Sequence, residues 1–322
     1  MRTALASLLL LSVLCALPAA PASRPASRPA DANAGPILKT EFGPVEILPH
    51  DNPWNTPIDK AKVHPKSDAY LKSIGLAKGL HPDFGTVWAG APMGIPFVVV
   101  GKDQRKSPVV FEYADESDKG PYPIPDDPPI EGGPKSDGDR HVLILSPAEK
   151  KLYELYHVRK TDKGWTAGSG AIFDLTSNKL RPAGWTSADA AGLPIFPGLA
   201  RHDEAVEAGV IRHALRFTVQ KTQRGYIPPA THWASRSSDS GLPPMGLRVR
   251  LKADYDISKF PKAAQAILTC LKTYGMILAD NGGDWFISGA PDPKWNDDEL
   301  NTLKRVKGSD LEAVYTEEVV TR

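Results

Sequence analysis

Residues 141–158 read His141-Val142-Leu143-Ile144-Leu145-Ser146-Pro147-Ala148-Glu149-Lys150-Lys151-Leu152-Tyr153-Glu154-Leu155-Tyr156-His157-Val158. Two apolar runs rich in β-formers flank Ser146-Pro147-Ala148-Glu149-Lys150, a pattern that predicts two strands joined as a hairpin. The same reading places strands at 96–100, 109–113, 171–175 and 211–219. Leu247, Val249 and Leu251 alternate with Arg248 and Arg250, as in a half-buried strand. Asn281-Gly282, between the runs 276–280 and 285–288, predicts a second hairpin because that dipeptide accepts positive φ angles.

One long helix is predicted over 261–274, where Ala264, Ile267, Leu268, Leu271 and Tyr274 follow helical spacing. Ser258 is placed to cap its start and Gly275 to close it. Shorter helices are expected at 67–74, 203–208 and 297–306. The 31 prolines and 27 glycines cut the remainder into short segments. The expected fold is therefore mainly β: a β-sandwich or jelly roll with a few peripheral helices and long loops.

The chain opens with Met1-Arg2, an apolar stretch from Ala4 to Leu17, and Ala20-Pro21-Ala22 before Ser23. That order predicts a signal peptide over 1–22, hence a secreted or periplasmic protein. Its apolar segment is short for a membrane span, and no later segment is long and apolar enough, so no integral membrane segment is expected after cleavage. Residues 23–36 repeat Ser-Arg-Pro-Ala and read as a flexible tether, which leaves 37–322 as one domain. Cleavage removes Cys15 and leaves Cys270 alone, so a hydrophobic core and not a disulfide must hold the fold. Lys plus Arg is 39 against 38 Asp plus Glu, a balance with no global field for nucleic acid.

The turn-rich segment from Glu131 to Gly138 delivers Asp139 and His141 to the mouth of the apolar run Val142–Leu145. Two residues apart in a strand, they would share a face, as an orienting carboxylate–imidazole pair. A second histidine, His213, lies in phase with Ile211, Leu215 and Phe217, so it must find a partner inside the protein. Asp139, His141 and His213 also have the ligand types of a two-histidine, one-carboxylate metal centre. Further on, Arg201, Asp203 and Glu204 follow a loop that carries Trp185 and Asp189. Sequence signatures for a nucleophile elbow, a phosphate-binding loop and a zinc-protease helix are missing.

Asp139-Arg140-His141, Gly198-Leu199-Ala200-Arg201-His202-Asp203-Glu204, Ile211-Arg212-His213-Ala214-Leu215, Gly246-Leu247-Arg248 and Tyr274-Gly275-Met276 together resemble a group of secreted bacterial proteins. That group shares a D-x-H, G-L-x-R-x-x-E, I-x-H-A-L, Gly-x-Arg and Tyr-Gly pattern over most of the mature chain. The resemblance implies that Asp139, His141, His213 and Arg248 form one spatial cluster.

The function expected is degradation of an extracellular polysaccharide, without a cofactor. As a hydrolase the chain would use Asp139 and Glu204 as its two carboxylates. As a lyase it would use His213 or His141 as base, with Arg248 neutralising a substrate carboxylate. Arg201 and Trp185 would bind substrate. The alternatives are a metal-dependent enzyme using Asp139, His141 and His213, and a non-catalytic carbohydrate-binding or envelope protein.

Overall fold

Ten strands build the two larger sheets: β1 (His81–Asp83), β2 (Phe97–Val99), β3 (Val142–Ser146), β4 (Lys151–Tyr156), β5 (Ser169–Asp174), β6 (Leu215–Val219), β7 (Arg248–Leu251), β8 (Met276–Asn281), β9 (Phe286–Ser288) and β10 (Leu311–Val314). The computed structural model describes residues 35–321. The expected signal peptide, and the expected tether up to residue 34, lie outside the described residues. The four-stranded sheet has the order β5-β4-β3-β2, and the six-stranded sheet β10-β7-β8-β6-β9-β1. Three smaller sheets and a few helices complete a mainly β architecture. The pairs β2–β3, β6–β8 and β1–β9 are parallel.

The run Val142–Leu145 is unbroken in apolar residues because both its faces are covered. Leu143 and Leu145 join Leu152 in a core shared with Leu215, Phe217 and Val249 of the six-stranded sheet. Val142 and Ile144 face the other way, onto Tyr122, Ile124, Tyr153 and Trp165. All four side chains are fully buried, each worth roughly 1.5–3 kcal/mol of transfer free energy. The predicted hairpin is present: β3 and β4 pair antiparallel with Ser146 opposite Lys151. Lys150 closes it at φ 52°.

The second predicted hairpin is not formed. β8 and β9 do not pair with each other; β6 lies between them and pairs with both. Gly282 N–H donates to the Val219 carbonyl at 2.9 Å, so the Asn281-Gly282 connection passes over the end of β6. The core of the sheet wins over the local turn preference.

Helix α1 (Ser67–Ile74) and helix α2 (Lys262–Thr273) occupy the predicted segments. Pro261, not Ser258, stands at the start of α2, where its fixed φ suits the helix entrance. Gly275, at φ 67°, follows the helix and donates to the Cys270 carbonyl at 3.1 Å. The segment Asp203–Ala208 is a single widened π-turn that Gly209 closes. Helix α3 (Asp297–Asn301) is shorter than expected, continuing as a 3₁₀ turn over Thr302–Arg305. No described helix is long and apolar enough to cross a membrane.

Candidate functional site

The loop before β3 is folded back by glycine and pinned by an arginine. Gly132 and Gly133 take φ angles of 70° and 84°, conformations costly for residues with a Cβ. Arg140, itself at φ 52°, donates from Nε to the Val158 carbonyl and from Nη1 to the Pro134 and Ser136 carbonyls. This brings Glu131 onto His141, whose Nδ1 donates to Glu131 Oε2 at 2.6 Å and whose Nε2 donates to the Ala188 carbonyl at 3.0 Å. Two oxygen acceptors require a proton on each ring nitrogen, so His141 is an imidazolium. Burial works against that charge, but the Glu131 carboxylate prevails and lifts its pKa to about 9. Burial likewise works to raise Glu131, and the His141 cation holds it below the usual carboxylate range.

The facing wall comes from the six-stranded sheet. Arg216 on β6 donates from Nε and Nη2 to both oxygens of Asp189, at 2.9 and 2.8 Å, and from Nη1 to Ser288 Oγ at 2.7 Å. Beside it the register of β6 on β8 slips: Phe217 stands opposite Leu278, but Thr218 stands opposite Asp280. Such an irregularity re-aims a side chain, and it sets Asp280 Oδ2 3.4 Å from Arg216 Nη2. Burial, followed by repulsion from Asp189, pushes the Asp280 carboxyl up to about 7.

Two further carboxylates complete the cluster. Glu154 is buried and receives the backbone N–H groups of Ile195 and Phe196, at 2.8 Å each for its nearest oxygens. Burial still raises it to about 7. Asp83, at the end of β1, is raised by desolvation and then by Glu131. Glu131 and Asp280 keep 25% and 26% of their side-chain surface open to solvent, so both can meet a solute.

The expected convergence of Asp139, His141 and His213 gives way to a different grouping. Among the described residues, one group of three offers ligand-type atoms within 4.8 Å of one another, and it is Glu131, Asp139 and His141. His141 has no lone pair to give a metal while both its nitrogens donate. His213 belongs elsewhere: its Nε2 meets Glu204 Oε2 at 2.9 Å and its Nδ1 the Ala214 carbonyl at 2.9 Å. Arg201 Nη2 lies 2.8 Å from the other Glu204 oxygen. The three are buried. His213, Glu204 and Arg201 therefore form an internal ion-paired knot and not a substrate-facing set.

Arg248, expected at the substrate, serves the backbone instead. It is buried and donates to the Pro53 and Tyr274 carbonyls at 2.7 and 2.6 Å, stapling backbone segments together. Loss of solvent lowers its pKa to about 10. Trp185 is half-buried, with the Arg181 guanidinium 5.6 Å from its ring centre. Of the residues expected in the site, Asp139 and His141 stand in the carboxylate cluster.

Glu131, Asp280 and Glu154 carry the perturbed chemistry; in the sequence Asp280 reads only as an aspartate before a turn, and Glu131 only as the start of one. One signal was available for Glu154: it is a charged residue in phase with buried Leu152 along an apolar strand. Asp280 gave none, since its placement depends on a register slip between strands distant in sequence. The resulting arrangement holds two solvent-touching carboxyls whose surroundings drive them apart. Glu131 is kept ionised, and Asp280 keeps its proton to near neutrality. Comparison of the chain with protein-family models, curated proteins and solved structures gives no match.

Proposed function

We propose that this chain is a secreted glycoside hydrolase acting on an extracellular polysaccharide. Asp280 is the general acid that protonates the leaving glycosidic oxygen, and Glu131 is the carboxylate that activates water or attacks the anomeric carbon. The observation that carries this reading is the opposite displacement of the two carboxyls, the pattern by which acid and base are separated at one pH. His141 acts as a positioning residue that holds Glu131 ionised, while Asp189 and Arg216 set the environment of Asp280. Elimination from a uronate is disfavoured, because Arg216 is committed to Asp189 and Arg248 to backbone carbonyls. The reading also treats the four- and six-stranded sheets as the layers of a sandwich. What supports that is their shared apolar core.

The test is incubation of the purified chain with neutral and uronic-acid polysaccharides, followed by assay of new reducing ends. Wild type is expected to release them from one glycan class, and Glu131→Gln and Asp280→Asn to lose that release while keeping a native circular-dichroism spectrum. Cleavage that survives in both variants, or a product with the ultraviolet absorption of an unsaturated uronate, would overturn the assignment.

A further inference from the structure

A recess that Asp83 helps to line has a volume of about 550 Å³, in the range usual for small-ligand sites. Its floor is aromatic. His81 on β1 and Phe286 on β9 stand opposite each other in register, and their rings stack with centroids 3.9 Å apart and 13° between planes. Burial and then nearby Lys304 lower the His81 pKa, which favours a neutral ring. At the edge Trp88 leaves 73% of its surface in solvent, on the short hairpin Val87–Trp88 with Ala91–Pro92. Asp83, Asn301 and Lys304 supply polar groups among these rings.

Aromatic faces interleaved with hydrogen-bonding groups suit a ligand that is apolar on its C–H faces and hydroxylated at its edges. A sugar ring has that character. Lipid would leave the polar groups unpaired, which is costly.

Asp83 links the recess to the proposed active site, lining the one and acting electrostatically on the other. His81 and Asp83 lie two residues apart on one face of β1, about 7 Å along the strand. Asp83 is coupled electrostatically to Glu131 and Arg216, and its register partner Ser288 accepts from Arg216. A chain lying over the aromatic floor is thereby led toward the Glu131–Asp280 pair. The charge of this path selects the glycan. Asp83 and Asp297 line the recess against one cation, Lys304; beyond Asp83 the Glu131 carboxylate adds negative charge, and the cations Arg216 and His141 are already paired internally. With two carboxylates against the single Lys304, the recess disfavours uronate and sulfate groups.

We propose that the recess bordered by Trp88, His81, Phe286 and Asp83 is a glycan-binding subsite for a neutral polysaccharide, holding sugar units adjacent to the bond that is cleaved. The substrate class follows from the hydrolase reading, but binding at the subsite is measurable without turnover. The full chain and its Trp88→Ala variant are titrated by calorimetry and intrinsic fluorescence. The probes are cellohexaose, xylohexaose, mannohexaose and arabinohexaose, with hexagalacturonate as the anionic counterpart.

At least one neutral oligosaccharide is expected to bind wild type and to bind Trp88→Ala about tenfold more weakly or worse, while hexagalacturonate fails to bind. An unchanged melting temperature shows that the loss is local, as the exposure of Trp88 allows. Equal affinity of variant and wild type, absence of binding across the neutral panel, or preference for hexagalacturonate would overturn the subsite. Trp88-dependent binding with no bond cleavage would uphold the subsite and remove the hydrolase reading. Cleavage with an unchanged KM in Trp88→Ala would do the reverse.

Discussion

Arg216 and Asp189 meet as two parallel hydrogen bonds, with both side chains buried. Their attachment reaches far in sequence, from β6 to a loop that Ala191 ties to β8 through the Ala279 carbonyl. Removing one partner strands a charge in the interior, so Asp189→Asn is expected to cost about 3–5 kcal/mol in urea denaturation. It also removes the repulsion on Asp280 and frees Arg216 to attract it. The Asp280 carboxyl should therefore titrate at lower pH in the folded variant, as carbon NMR of labelled aspartate can show. An Asp280 titration unchanged or moved upward would contradict this electrostatic arrangement.

Catalysis should require protonated Asp280. With its carboxyl pushed up to about 7, turnover is expected to fall as pH rises through that value. Asp280→Asn should lose about 10²–10⁴-fold in rate and with it the alkaline limb. A kcat/KM profile that keeps the same limb in Asp280→Asn would assign the limb to another group.

Stability should decline from mildly acidic to neutral pH. Glu154 is raised by burial from an ordinary 4.5 to about 7. A raised carboxyl contributes stability that is fully present below the unfolded pKa and is lost as pH rises through the folded one. The change is on the order of 3 kcal/mol between those values. Thermal melts at several pH values should show the decline in wild type and a flatter response in Glu154→Gln, which keeps an acceptor for Ile195 and Phe196. His141 has the same sign, losing its contribution as pH rises from 6.5 through about 9. Glu131 and Glu204 have lowered pKa values and act oppositely, destabilising the fold as pH falls below their ordinary range.

Arg248→Ala should behave as a structural lesion. It leaves the Pro53 and Tyr274 carbonyls without their donor, at about 1–3 kcal/mol for each buried group left unsatisfied. The folded fraction is expected to retain wild-type KM for its polysaccharide, measured after correction for active protein. A raised KM at full stability would restore Arg248 to the substrate.

The strands β3, β4, β6 and β7 and helix α2 were legible because periodicity and turn residues are local properties. For the Asp139–His141 element only the place is local and legible: the strand starts at Val142, Arg140 at φ 52° breaks the alternation that would align the two, and His141 pairs with Glu131 instead of Asp139. Glu131 was visible only as part of the glycine-rich turn before it, since nothing in its neighbours marks it as the partner of His141. The apolar phase of His213 calls for an internal partner, but nothing in the sequence marks Glu204 as the one that fills that place. The position of Asp280 rests on which strands pair and where their register slips. Asn281-Gly282 misled for that reason, as a strong local turn signal placed where a distant strand inserts.

The insertion of β6 between β8 and β9 bears on how the chain is made. β6 is synthesised first and is buried throughout its length in the finished protein, yet β8 begins only at Met276. At ordinary elongation rates the ribosome takes roughly 3–12 s to supply that neighbour. During that interval Leu215, Phe217 and Val219 lie unpaired and apolar on the nascent chain, the kind of segment that chaperones hold.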